Sequence, residues 1–279
     1  MTNDRERLSL SRRVLLTGLL AAAAAPACAA DKLERFRTAR GGSKAVDHGA
    51  FDRLLGRYVR AGADGVNRVD YGAWKASAAD RGALGGYIAA LEQTDPTTLG
   101  RAEQFAYWAN LYNAATLRVV LDRYPVRSIK EIKPNLIAIG PWKTAVVTVG
   151  GTALSLDEIE HGILRRGWRE PRVHYAVNCA SYGCPNLRLR AIRGGTLEAD
   201  LADAARDYVN HPRAARVEGG KLIVSSIYDW YKADFGGSDS GVIAHLRQHA
   251  SPRLKSELAG VKSVAKHAYD WALNDTARR

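Results

Sequence analysis

The stretch AVVTVGGTALSLDEIEHGILRRGWREPRVHYAVN, Ala145 to Asn178, reads as a hairpin, a helix and a strand in succession, and that order decides the fold class. AVVTV and TALS flank Gly150-Gly151, a pair that supplies the positive φ angles of a tight hairpin turn. Ser155, with Glu158 three residues on, forms a capping box and starts a helix over LDEIEHGILRRGW. RVHYAVN then alternates, which predicts a strand with Val173, Tyr175 and Val177 on one face and His174, Ala176 and Asn178 on the other.

Working outward, FDRLLGRYVRA and WKASAADRGALGGYIAALEQTDP space their apolar residues as helices. RAEQFAYWANLYNAATLRVVLDRYP, from Arg101 to Tyr124, is the most apolar helix and stops at Pro125. Its Asn110 and Asn113 share a face, and amides buried there must find partners. Downstream come the helix TLEADLADAARDYVNHP, a hairpin about Gly219-Gly220, the short helix SSIYDWYKADFGG capped by Ser226, the helix GVIAHLRQHA and a closing strand in VKSVAKHAYDWALN. This mixture predicts a single α+β domain with a mixed, largely antiparallel sheet packed by helices.

The chain has 279 residues, and its first thirty read as an export signal: a basic head, an apolar run and the tail PACAA. Arg12 and Arg13, just before the run, give it the twin-arginine form. The run from Val14 to Ala25 falls short of the roughly 20 residues a spanning helix needs, so no transmembrane helix is expected. Cleavage near Ala29-Ala30 would leave a periplasmic or secreted protein. Acylation at Cys28 is the weaker alternative, because Ala25 stands where a lipoprotein signal usually has Leu. Residues 31–49 read as a linker or arm, and 50–276 as the folded domain. Four of the 41 basic and two of the 29 acidic residues lie in the signal, so the remainder carries +10. That charge suits anionic envelope surroundings. The basic residues are scattered, which argues against nucleic acid.

The stretch RVHYAVNCASYGCPNL, Arg172 to Leu187, holds the chemistry-bearing pair Cys179 and Cys184. Together with FAYWANLYNAATL, SLDEIEHGILR, SSIYDWYKADFG and the terminal YDWALN, it resembles the domain-of-unknown-function family 547, over about Phe51 to Asn274. The resemblance implies kinship with thiol hydrolases or transglutaminase-like folds by analogy and assigns no activity. A cysteine attacks as thiolate, so it needs a base, and the base needs an orienting acceptor. Cys179 is therefore the candidate nucleophile, His161 or His174 the base, and Asp157, Glu158 or Asp270 the orienter. On an ideal helix Asp157 and Glu158 lie four and three residues before His161, on its face. A straight strand would point His174 and Cys179 to opposite faces, and they meet only if the chain turns at Asn178.

The same atoms allow other readings. Cys179, Cys184, His161 and His174 could make a four-coordinate zinc site; apart from that alternative no cofactor is expected. The two cysteines could instead form a short disulfide in an oxidising compartment. Asn110, Asn113 and Asn178 are candidate amide donors to an oxyanion or ligand, and Arg172 a candidate anion contact. Trp108, Tyr112, Trp142 and Trp230 read as core ahead of a sugar platform. The leading expectation is an exported thiol-dependent hydrolase or acyl-transfer enzyme acting on an amide or ester of a small-molecule, peptide or glycan ligand. The alternative is a non-catalytic periplasmic binding module for an acidic ligand, stapled by a Cys179–Cys184 disulfide or by zinc.

Overall fold

The structure, a computed structural model, describes residues 31–38, 41–135 and 137–277. The expected export signal lies outside these residues. From Lys32 onward the chain is one compact body. Segment 31–49, expected as a linker or arm, is fastened to that body: Leu33 and Phe36 are buried, and the Phe36 ring meets Trp108 edge-on at 5.2 Å. Its charged sequence hid two apolar anchors.

Helix α1 (Gly49–Tyr58) buries Phe51, Leu54, Leu55 and Tyr58, the stripe its spacing predicts. The short strands β1 (Val59–Ala61) and β2 (Asn67–Val69) pair antiparallel and lead to α2 (Tyr71–Ala76) and α3 (Ala78–Glu92). Helix α4 (Arg101–Arg123) is buried at every position from Gln104 to Leu117. A helix apolar all round can satisfy that pattern only at the centre of a body. The hairpin β3 (Ala145–Val149) and β4 (Thr152–Ser155) turns at Gly150-Gly151, both at positive φ. The capping box forms as expected: Glu158 N donates to Ser155 Oγ at 3.2 Å, and Ser155 N to Glu158 Oε2 at 2.9 Å.

What the box starts is a π-helix, Glu158–Arg165, which runs on into α5 (Arg166–Trp168). RVHYAVN is not a strand. Val173–Ala176 form one helical turn, α6, and Val177 resumes an extended course. The alternation misled because two cores flank this segment: Val173 and Ala176 pack into the first, around α4, while Tyr175 packs into the second. Alternating apolar residues thus satisfy two surfaces rather than one sheet face.

Helix α7 (Leu197–Val209), α8 (Ile227–Trp230), α9 (Asp239–His249) and α10 (Pro252–Glu257) surround a three-stranded sheet. In it β5 (Ala215–Glu218) pairs antiparallel with β6 (Lys221–Ser225), and β6 pairs parallel with β7 (Val264–Ala268). The fold is α+β, with its strands in small, mostly antiparallel sheets packed by helices. No described helix is long and apolar enough to cross a membrane.

The second core buries His245, whose Nε2 lies 2.8 Å from the Tyr175 hydroxyl. Burial pulls this imidazole down from 6.5 to about 4. Above pH 6.5 it is neutral folded or unfolded; below, the unfolded chain takes up a proton that the folded one refuses. Stability is therefore expected to fall by about 3 kcal/mol as pH drops from about 6.5 to about 4. Urea unfolding at pH 7 and pH 4.5 reads this directly, and His245→Asn should flatten the dependence.

Candidate active site

Between the two cores lies a cleft of about 550 Å³. The π-helix contributes Glu160 and His161 with Asp157 just before it, α6 contributes His174, and the loop after α6 contributes Cys179 and Cys184. Tyr112 of α4 forms the floor, and aromatic walls come from Trp230, Tyr231, Tyr269 and Trp271. Residues 137–143 form one rim.

The cysteine loop is tightly held. Asn178 donates from Nδ2 to Pro185 O at 2.7 Å and accepts from Ala180 N at 2.8 Å, tying the loop across its base. Asn113 donates to Ala176 O at 2.9 Å and accepts from Asn178 N at 2.8 Å. Ala180 takes the left-handed conformation, φ 61°, right after the candidate nucleophile. For a residue with a Cβ this is strained, and the surrounding hydrogen bonds hold it. At Gly183 an added Cβ would stand 2.9 Å from Asp270 N, so the loop can lie against the closing segment only with glycine there.

The two thiols differ. Cys184 is buried and Cys179 partly exposed, with their sulfurs 2.6 Å apart. Cys179 Sγ also lies 3.2 Å from Ser181 Oγ and 3.3 Å from the Tyr269 hydroxyl. The hydrogen bond from the Cys184 thiol, helped by Ser181 and Tyr269, outweighs burial and draws Cys179 down to about 7. Burial, with the neighbouring Cys179 sulfur, pushes Cys184 far up. Cys179 is thus the sulfur that ionises first, with the Cys184 thiol as its donor.

His174 is buried, with its Nε2 2.7 Å from Asp234 Oδ2, to which Arg165 Nε also donates at 2.6 Å. Burial would raise Asp234, but the hydrogen bonds from His174 and Arg165 prevail and hold it below the usual carboxylate range. Burial lowers His174, so it is neutral at pH 7, with its proton on Nε2 toward Asp234 and a free lone pair on Nδ1. The Tyr231 ring stacks on its face at 4.2 Å and 14°. Glu160 Oε1 stands 3.8 Å from His174 Nδ1 and 3.9 Å from His161 Nδ1, between the two imidazoles. Arg165 Nη1 donates to His161 Nδ1 at 3.2 Å, which leaves His161 Nε2 toward Asp157, 3.7 Å away.

Residues 96–209 match the family described as "Protein of unknown function, DUF547". That stretch, 114 of the 279 residues, carries the likeness to DUF547. No curated protein and no solved structure is significantly similar to the chain. The DUF547 segment holds Tyr112, Asp157, Glu160, His161, His174 and both cysteines, whereas Tyr231, Asp234 and Tyr269 lie beyond its end.

Within and around the DUF547 segment, the residues singled out in the sequence separate into two groups. Cys179, His161, His174 and Asp157 line the cleft together. Glu158 does not orient His161; its carboxylate serves the capping box and pairs with Lys32. The wider i→i+5 turn of the π-helix keeps the residue four back on the histidine's face and swings the residue three back away. Asp270 accepts from Ala272 N at 2.9 Å, and its carbonyl receives Gly183 N. It shapes the loop and is absent from the cleft wall. Arg172 pairs with Glu170 and Glu198, also outside the cleft. Asn110 binds the backbone of Ile192 through both ends of its amide, and Asn113 and Asn178 brace the cysteine loop. These three amides hold backbone in place and are not open donors. Trp108 and Tyr112 are core as expected, Tyr112 also lining the cleft, where Trp142 and Trp230 join it.

Among the described residues, no group of three or more His, Cys, Asp and Glu side chains converges at metal-ligand spacing. The residues that the sequence left unmarked are Asp234, Glu160, Tyr231 and Tyr269. Asp234 sits inside the quoted SSIYDWYKADFG motif but sixty residues from its histidine. Glu160 adjoins His161 in sequence, where α-helical spacing would turn it aside.

Proposed function

We propose that this protein is a thiol-dependent hydrolase or acyl-transfer enzyme with Cys179 as nucleophile. The observation that carries the reading is one cleft lined by both a thiol drawn down to about 7 and a neutral histidine held by a carboxylate, His174–Asp234. Among the described residues the hydrogen-bond partners of Cys179 Sγ are Ser181, Cys184 and Tyr269, with no histidine nitrogen among them. His174 thus acts across the space a substrate or water fills.

The Cys179 thiolate adds to the carbonyl carbon of an ester or amide, its proton having passed through water to His174 Nδ1. The C=O π bond opens to an oxyanion. Tyr112 has no hydrogen-bond partner among the described residues, and burial, reinforced by Glu160 and the two thiols, keeps its hydroxyl protonated. It is the donor suited to that oxyanion. The bond to the leaving group breaks as His174 returns the proton to it, leaving a thioester on Cys179. Water then gives a proton to Nδ1, its hydroxide adds to the thioester carbon, the C–S bond breaks to release the carboxylic acid, and the Nδ1 proton returns to the Cys179 sulfur. Asp234 keeps His174 in the required tautomer and stabilises its protonated form.

The test is capture of the thioester. Exposure to a panel of aryl esters and thioesters, quenched in acid, should add one acyl mass to a peptide containing Cys179, and Cys179→Ala should add none. A panel giving no adduct, or adducts unaffected by Cys179→Ala, would overturn the proposal. A second reading is favoured by the 2.6 Å approach of the two sulfurs: a disulfide staple in a binding module. Asp157 and Glu160 in the wall disfavour an acidic ligand there. Two readily alkylated thiols in the isolated protein would count against the staple.

A further inference from the structure

The large apolar side chains most exposed to solvent are not scattered. Among the described residues they are Ile137, Ile139, Leu189 and Trp230, exposed by 92%, 71%, 46% and 45%. Three of them, Ile137, Ile139 and Trp230, also line the active-site cleft. A side chain that both lines a cleft and faces water stands at its mouth. Ile137 and Ile139 come from the loop before β3, and Trp230 from the end of α8, so two distant segments place apolar tips around one opening. Isolated exposed apolar residues are ordinary, but a ring of them marks a surface that meets something apolar.

The loop is built to present them. Asn135 Oδ1 accepts from Ile137 N at 3.1 Å and Ala138 N at 2.9 Å, and Gly140, at φ +76°, sits where any Cβ would run into the Trp142 ring. The flanking charge decides what the mouth meets. From Arg127 to Lys143 there are four basic residues and one acidic, Glu131, which pairs with Arg127. Lys133 and Lys143 are exposed, and among the described residues neither meets a carboxylate. The Lys130 ammonium lies 4.8 Å over the Trp271 ring inside the rim. Of the carboxylates that line the cleft, Glu160 is buried in the wall and Asp157 is partly exposed, toward His161. Apolar tips, an interfacial tryptophan and unpaired lysines together match the boundary of an anionic bilayer, where apolar side chains enter the acyl region and ammonium groups meet phosphates.

We propose that the mouth of the cleft, through Ile137, Ile139 and Trp230 with Lys133 and Lys143, docks on the surface of an anionic phospholipid membrane. The docking needs no thiol chemistry and stands or falls separately from it. In this orientation the cleft opens toward the lipid.

The experiment is co-flotation of the full chain with vesicles of phosphatidylcholine containing 30% phosphatidylglycerol, and with phosphatidylcholine alone. Every variant keeps residues 1–30, so their contribution is common to all. The parent should float with the anionic vesicles and lose most of that binding in 0.5 M salt. Ile137→Ser/Ile139→Ser should weaken it at least tenfold, and Lys133→Glu/Lys143→Glu by a similar factor. Because these side chains are exposed, the variants should unfold at the parental temperature. Equal binding by parent and isoleucine variant, equal binding to neutral vesicles, or no binding by the parent would each overturn the proposal. So would sedimentation showing a parental dimer that the isoleucine changes alone convert to monomer, since a second copy would then cover the mouth.

Discussion

In the Cys184→Ala variant, Cys179 should alkylate about tenfold more slowly than in the parent at pH 6 and faster than the parent at pH 10. The Cys184 thiol is the largest influence drawing Cys179 down to about 7, against burial, which works the other way. Without that donor the thiol returns toward its ordinary value of about 8.5 to 9, and its thiolate fraction at pH 6 drops by roughly thirty- to a hundredfold. A more basic thiolate is also a better nucleophile, by about half a logarithm per unit, which offsets part of the loss. Where both sulfurs are fully ionised only the nucleophilicity difference remains, so the two rate profiles cross. Iodoacetamide rates at Cys179, followed by mass spectrometry from pH 5 to 10, would show the crossing. A variant that kept the midpoint near 7 would mean that Ser181 and Tyr269 suffice and Cys184 plays another part.

Asp234→Asn should cut turnover of any ester or thioester that labels Cys179 by about 10² to 10⁴, while leaving the rate of Cys179 alkylation at pH 8 unchanged. The carboxylate accepts the His174 Nε2 proton at 2.7 Å, and an amide can present its NH₂ group there instead. The ring then carries its proton on Nδ1, where the lone pair is needed, and the base is lost without disturbing the thiolate. The split between turnover and alkylation separates this role from a structural one. Arg165 also loses its charged partner, so the unfolding temperature of the variant should be compared with that of Arg165→Gln. Equal losses of turnover and alkylation would point to collapse of the cleft.

Several elements were legible because residues within a few positions of one another decide them. Ser155 and Glu158 form a capping box through one turn of chain, the glycine pairs set both hairpins, and Pro125 follows the last turn of α4. The apolar stripe of α1 needed only spacing. The cysteine pair, His161, His174 and Asp157 were likewise visible as residue types in motifs, and the cleft holds all of them. The strand expected at RVHYAVN failed for a reason that spacing cannot reveal. Its alternation is produced by two cores on opposite sides of a single helical turn. Glu158 was misread as an orienter because α-helical geometry was assumed where the chain makes a wider π turn.

By itself the sequence determined the α+β class, a resemblance to DUF547 that the family match supports over residues 96–209, the capped start of the helix that bears His161, and a cysteine pair after a histidine. Only the tertiary structure decided that His174 takes its acceptor from Asp234, that Glu160 stands between two imidazoles, and that Tyr269 reaches both sulfurs. Caps and turns arise from hydrogen bonds a few residues long. The cleft arises where two separately packed cores meet, and the partners brought together there, sixty and ninety residues apart, share no local pattern that could announce them.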